Sequence, residues 1–157
     1  MFIGNKYKPI LLSELEIEYN NISENILNNK NFVVNGPRQC GKSTIVKLYL
    51  DTLNYEYTLI DNYNESKIDL LYKIDLITNS AISFFNNKKC IILFDNFDYF
   101  DECVKTKILK CKCQFIIISH KYININLNIV YINSYSNNYL NNLYININYL
   151  ENNYYND

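Results

Sequence analysis

No apolar stretch in this chain approaches the roughly 18 residues that a membrane-spanning helix needs. The opening MFIGNKYKPILL lacks the long apolar segment of a secretory signal. Both absences predict a soluble intracellular protein, cytoplasmic or nuclear, with no membrane partner. Basic residues number 15 against 16 acidic ones, a net charge of -1, so bulk electrostatic binding to nucleic acid or to anionic lipid has no support. Arginine is almost missing, Arg38 being the only one. No Gly/Ser-rich linker and no internal repeat is present, and 157 residues suffice for one domain with a real core but not comfortably for two.

What the chain has in excess is asparagine, isoleucine, tyrosine and lysine. These residues have AT-rich codons, whereas most arginine codons are GC-rich. The bias therefore reads as genome composition, as in an AT-rich protist or a large DNA virus, the latter placing the protein in an infected host cell. Five cysteines, an odd number without a secretory signal, argue against a disulfide framework. Cys90, Cys103, Cys111, Cys113 and His120 include a C-x-C spacing but no paired C-x-x-C, so reduced structural thiols are favoured over a zinc site.

Strand and helix signals alternate along the chain. The apolar runs NFVVNG, YEYTLID, CIILFD and QFIIIS read as strands, and the continuous runs suit parallel strands covered on both faces. GKSTIVKLYLDTL carries Ile45, Val46, Leu48, Tyr49 and Leu53 at helical spacing. ESKIDLLYKIDLITNSAISFF reads as the longest helix, with an apolar stripe through Leu70, Leu71, Ile74, Ile77, Ala81, Phe84 and Phe85. ECVKTKILK predicts a short helix. A further helix is expected between Ser13 and Asn29, with Ser13 and Glu16 as a capping box, and a half-buried strand near Asn128 to Asn133. The order implies an α/β fold with a mainly parallel sheet flanked by helices on both faces. Helix and strand cannot be told apart in residues 134–157.

Gly36 and Gly41-Lys42-Ser43 match G-x-x-x-x-G-K-[ST] between a strand and an amphipathic helix, the context that gives the motif its meaning. The expected site spans Gly36, Pro37, Arg38, Gln39, Cys40, Gly41, Lys42, Ser43 and Thr44. Its backbone N–H groups would form an anion nest, supported by the N-terminus of the next helix. Lys42 is expected to reach the β- and γ-phosphates of ATP, and Ser43 to ligate Mg2+. In P-loop proteins a strand adjacent to the phosphate loop ends in an acidic residue beside Mg2+. Asp95, closing CIILFD, fits that role. The next residue is Asn96 where a water-polarising Glu is common, and an amide cannot accept a proton as a carboxylate does. Asp98 is a distant substitute, and Ser119 and His120, closing FIIISH, could contact the γ-phosphate or the water.

The opening Lys6-Tyr7-Lys8-Pro9, with Leu12 and Leu15, resembles the KYRP-x-x-L-x-x-L start of clamp-loader ATPases, the small subunits of replication factor C within the AAA+ superfamily. The succession of helix, Walker A at Gly36 to Thr44, Walker B at Ile91 to Asp98 and a sensor-1 strand from Phe115 to His120 is similar too. The resemblance implies a three-layer P-loop NTPase core of the AAA+, RecA-like kind, with residues 1–133 as the nucleotide-binding core and 134–157 as a lid remnant or tail. GPRQCGKST also resembles the GPRQ-x-GKT loop of another group of AAA+-like ATPases. Membership would imply loading of a sliding clamp onto DNA alongside other AAA+ or clamp-loader subunits, adenine contacts near Tyr7 to Pro9, and sensor 1 at Ser119 or His120. The chain departs from that pattern in Asn96, in lacking a Ser-Arg-Cys motif to supply an arginine finger, and in its reduced lid and collar. Lys105, Lys107, Lys110 and Lys112 read as a solvated helix face, so DNA is expected only through the assembly. Two alternatives stand beside this reading: a non-catalytic nucleotide-binding structural subunit, and another P-loop ATPase such as a viral DNA-packaging type.

Overall fold

The computed structural model describes residues 11–15, 17, 19–62, 65–80 and 90–134. Five strands, β1 (Phe32–Asn35), β2 (Glu56–Ile60), β3 (Cys90–Phe94), β4 (Phe115–Ser119) and β5 (Asn128–Tyr131), form one sheet in the order β2-β3-β4-β1-β5. Every pairing is parallel. The helices are α1 (Asn20–Leu27), α2 (Lys42–Thr52), α3 (Lys67–Ser80) and α4 (Glu102–Leu109).

The strand sequences explain the layers. Successive side chains point to opposite faces, so Phe32 and Val34 enter one core while Val33 enters the other. On the first face they meet Ile22 and Ile26 of α1 and Ile45, Val46 and Leu50 of α2. On the second, Val33, Ile92, Phe94, Phe115 and Ile117 meet Leu70 and Ile74 of α3 and Val104 and Ile108 of α4. Full burial of such a side chain contributes roughly 1.5–3 kcal/mol. The ion pairs Lys73–Glu65 and Lys107–Asp75, both 2.5 Å but part-exposed, contribute at most about 1 kcal/mol each. The two apolar layers, not surface charge, hold the fold.

One local expectation changes. Ser13 lies in a 3-10 turn at Leu12–Glu14, and the first α-helix starts only at Asn20, with Tyr19 as its N-cap and no side-chain cap bond. Glu16, the other half of the expected capping box, lies outside the described residues, as do Ala81, Phe84 and Phe85 of the α3 stripe. Within α3, Leu70 and Ile74 are buried, and Leu71 and Ile77 pack against them half-buried. Finally, β3 is not beside β1, because β4 pairs with both. The strand carrying Asp95 is therefore one place removed from the phosphate-loop strand.

Candidate functional site

The loop after β1 is shaped by its neighbours. Gly36 has φ +157°, and a Cβ there would sit 2.2 Å from the carbonyl oxygen of Ile132, just after β5. Only glycine lets the chain turn out of β1 at that point. Gly41 (φ 82°) is the left-handed N-cap of α2, and Gln39 is left-handed as well at φ 62°. A left-handed non-glycine residue costs roughly 1–3 kcal/mol and is characteristic of ligand clamps. The first-turn N–H groups of α2 have no partner within the helix.

Lys42 is folded back into this loop. Its Nζ donates to the carbonyls of Gly36 (2.9 Å) and Pro37 (2.5 Å) and lies 3.8 Å from Cys40 Sγ, leaving the residue only 5% exposed. The loop's own carbonyls thus hold the ammonium where phosphate oxygens would compete for it. Ser43 Oγ donates to Asp95 Oδ2 at 2.6 Å, and the Asn96 N–H donates to Asp95 Oδ1 at 2.8 Å. The end of β3 and the start of α2 are joined by that short, charge-assisted bond.

The opposite wall differs from expectation. Asp98 does not face the cleft as a spare base. Its Oδ2 accepts the His120 N–H at 2.7 Å, and its Oδ1 lies 2.8 Å from Ser119 Oγ and 3.3 Å from the Lys121 nitrogen. The carboxylate ties the 3-10 turn Phe97–Tyr99 to the end of β4. Ser119 is fully buried in that network, its hydroxyl also 2.7 Å from the Lys121 carbonyl. It cannot meet a ligand, so of the two sensor candidates only His120 lines the cleft. Burial first, then the nearby Lys42 and Arg38 cations, hold its imidazole below the ordinary histidine value against the opposing pull of Asp98 and Asp95. The ring is neutral at pH 7, and its Nδ1 is buried without a hydrogen-bond partner among the described residues.

These walls enclose a cleft of about 410 Å3. Arg38, Gln39, Gly41, Lys42, Ser43 and Thr44 line one side, and Asp95, Asn96, Tyr99 and His120 the other. Gly36, Pro37 and Cys40 do not line it. Cys40 is buried, its thiol 3.7 Å from the Ile132 carbonyl. Tyr7 and Pro9 lie outside the described residues. Tyr99 is the lining residue that sequence reasoning missed. The signal was present: Phe97 and Phe100 are apolar at a spacing of three and both buried, which turns Tyr99 outward. Asn96 takes the left-handed conformation (φ 57°, ψ 40°) that asparagine tolerates better than glutamate.

The other cysteines sit elsewhere. Cys90 and Cys113 lie at the amino ends of β3 and β4, whereas His120 follows the carboxyl end of β4. Burial pushes the Cys111 and Cys113 thiols up, so both are protonated at neutral pH. Among the described residues no three His, Cys, Asp or Glu side chains are grouped to hold a metal ion.

A family model described as an AAA domain matches residues 28–117, more than half of the chain. The chain belongs to the AAA domain family. No curated protein matches it. The match begins just before β1 and runs into β4, so it takes in the loop, α2 and the Asp95 wall. AAA domains generally bind ATP and Mg2+, and this AAA domain has the parts for both. Glycine-shaped backbone and the open first turn of α2 suit phosphate, and Ser43 with Asp95 offers two oxygens at one point. That donor set suits Mg2+, which completes its shell with phosphate oxygens and water. Among the described residues, no helix is long and apolar enough to cross a membrane.

Proposed function

We propose that the chain is an ATP- and Mg2+-binding AAA subunit, related to the clamp loaders of DNA replication, whose ATP hydrolysis is weak or partner-dependent. The observation that carries the nucleotide part is the 2.6 Å bond between Ser43 and Asp95, which joins phosphate loop and acidic strand end across the cleft. Lys42 would exchange the Gly36 and Pro37 carbonyls for β- and γ-phosphate oxygens, while Ser43 and Asp95 would hold the metal. Asn96 would orient the attacking water by hydrogen bonding without taking its proton, and neutral His120 lies on the same wall. Weak hydrolysis follows from the lack of a free carboxylate there among the described residues, since Asp95 is engaged by Ser43 and Asp98 by β4. The replication part rests on Lys6-Tyr7-Lys8-Pro9, Leu12 and Leu15, and on the order of motifs. Its partners would be clamp-loader subunits and a sliding clamp, with DNA engaged through the assembly.

The engagement of Asp98 also favours a second reading, a subunit that keeps nucleotide as a structural ligand. Two measurements separate the readings. Calorimetry with Mg-ATP tests binding, and steady-state phosphate release by the chain, alone and with clamp-loader subunits, tests turnover. Binding without turnover under any partner supports the structural subunit. Recovery of portal or capsid proteins, rather than clamp-loader subunits, in a pull-down would replace the replication role with a packaging one.

A further inference from the structure

One cation at the cleft takes no part in holding the loop. Arg38 stands at the third position of the phosphate loop, exposed, and lines the cleft with Lys42, Asn96 and His120. Lys42 is turned back onto loop carbonyls, whereas Arg38 reaches to the opposite wall. Its Nη2 donates to Tyr99 Oη, and its Cζ lies 5.7 Å from the Tyr99 ring centroid. Tyr99 meets the His120 ring edge-on at 5.9 Å, and its carbonyl accepts a 2.5 Å bond from Asn62 Nδ2. The guanidinium is therefore moored over the mouth of the cleft, on the side where Asn96 and His120 stand. Holding a long exposed side chain in one place has an entropic cost, which the tyrosine contacts oppose. An arginine offers a planar fork of donors that matches phosphoryl oxygens.

We propose that Arg38 acts in cis as the charge-stabilising catalytic residue for ATP hydrolysis, its guanidinium passing from Tyr99 to the terminal phosphoryl oxygens. It does within one chain what a neighbouring subunit's arginine would otherwise do. This rests on the nucleotide reading of the same site. In the step it assists, the water oxygen bonds to the terminal phosphorus. The bond to the bridging oxygen breaks with its electron pair left on ADP, and the water's proton leaves through the phosphate product to solvent. Negative charge on the transferring group and the bridging oxygen is greatest midway, where a guanidinium has most effect.

The test compares ADP with ADP plus aluminium fluoride, both with Mg2+, by calorimetry on the full chain and on Arg38→Ala and Arg38→Lys. Affinity for ADP should stay within about threefold, while affinity for the fluoride complex, a mimic of the transferring phosphoryl group, should fall roughly tenfold or more in Arg38→Ala and by less in Arg38→Lys. Single-turnover phosphate release should fall by a similar factor, with a wild-type rate per chain that does not change with protein concentration. Tyr99→Phe, which keeps the ring and frees the guanidinium, should leave the fluoride complex at least as tight. Equal losses for ADP and the fluoride complex would make Arg38 a ground-state binding residue and overturn the proposal, as would no loss at all. A specific rate that climbs with protein concentration would overturn it in favour of donation to a second copy. Failure of the wild type to bind ADP would remove the nucleotide reading itself, and it shows before any variant is compared.

Discussion

The wall from Gly36 to Thr44 and the wall from Asp95 to His120 face each other across one cleft, but they are built differently. The first is contiguous in sequence. A strand end, two glycines and a helix start suffice to shape it, and its one buried charge, Lys42, is satisfied by carbonyls five and six residues away. The second is assembled from two separate pieces: the end of β3 running into a 3-10 turn, and the end of β4. Asp98 holds these pieces together through bonds to residues 21 to 23 positions further on. The contiguous wall keeps all the parts that phosphate binding needs. The assembled wall has Asn96 where proton abstraction would want a carboxylate, and Asp98, two residues on, has become a fastener. Binding and turnover can thus come apart in one site, because they depend on different walls.

The comparison breaks most visibly at Gly36. Gly36→Ala should destabilise the fold by about 2–4 kcal/mol and abolish Mg-ATP binding, since the new Cβ meets the Ile132 carbonyl at 2.2 Å. Urea unfolding and calorimetry would check it, and near-normal stability would mean that the loop wall is not set by that close approach. Next in size is Lys42→Ala, which should weaken Mg-ATP by ~1.5–3 kcal/mol, roughly tenfold or more, while the fold persists. Equal affinities of variant and wild type in calorimetry would sink the phosphate role of the loop wall.

Asp98→Asn sharpens the contrast from the other side. The amide keeps one acceptor for several donors, so stability should fall by about 1–2 kcal/mol with little change in ADP affinity. If it leaves stability intact but stops turnover, Asp98 is a catalytic base after all. The smallest effect concerns His120. Its folded value lies below the ordinary 6.5, so below that pH the unfolded chain binds more protons and stability falls as pH falls. This contribution is fully present above 6.5 and shrinks as pH drops toward the lower folded value. Melting temperatures at pH 7 and 5.5 should differ slightly less for His120→Asn than for the wild type, and a larger loss in the variant would reverse the assigned sign.

Much of the fold was legible because apolar period and turn chemistry are local. FVVN, CIILF and FIIIS are too apolar to be anything but covered strands, and the Gly36-to-Ser43 spacing between strand and helix announces its loop. The start of α1 was misplaced, because SELEIEYNN offers caps but only tertiary packing decides which turn of that segment continues into a helix. Tyr99 was hidden for a similar reason. Its neighbours Phe97 and Phe100 were visible as apolar, but not the face they would bury.

From the sequence alone come the parallel α/β class, the phosphate loop with Lys42 and Ser43, and the strand that ends in Asp95. Each rests on interactions within about ten residues. Strand order, the fastening of Asp98 to β4, the burial of Ser119 and the mooring of Arg38 on Tyr99 were decided only in three dimensions. A hydrogen bond between residues 61 positions apart, such as Arg38 to Tyr99, leaves no periodic trace in either segment. Whether a carboxylate stays free for chemistry depends on what the folded chain brings within reach of it.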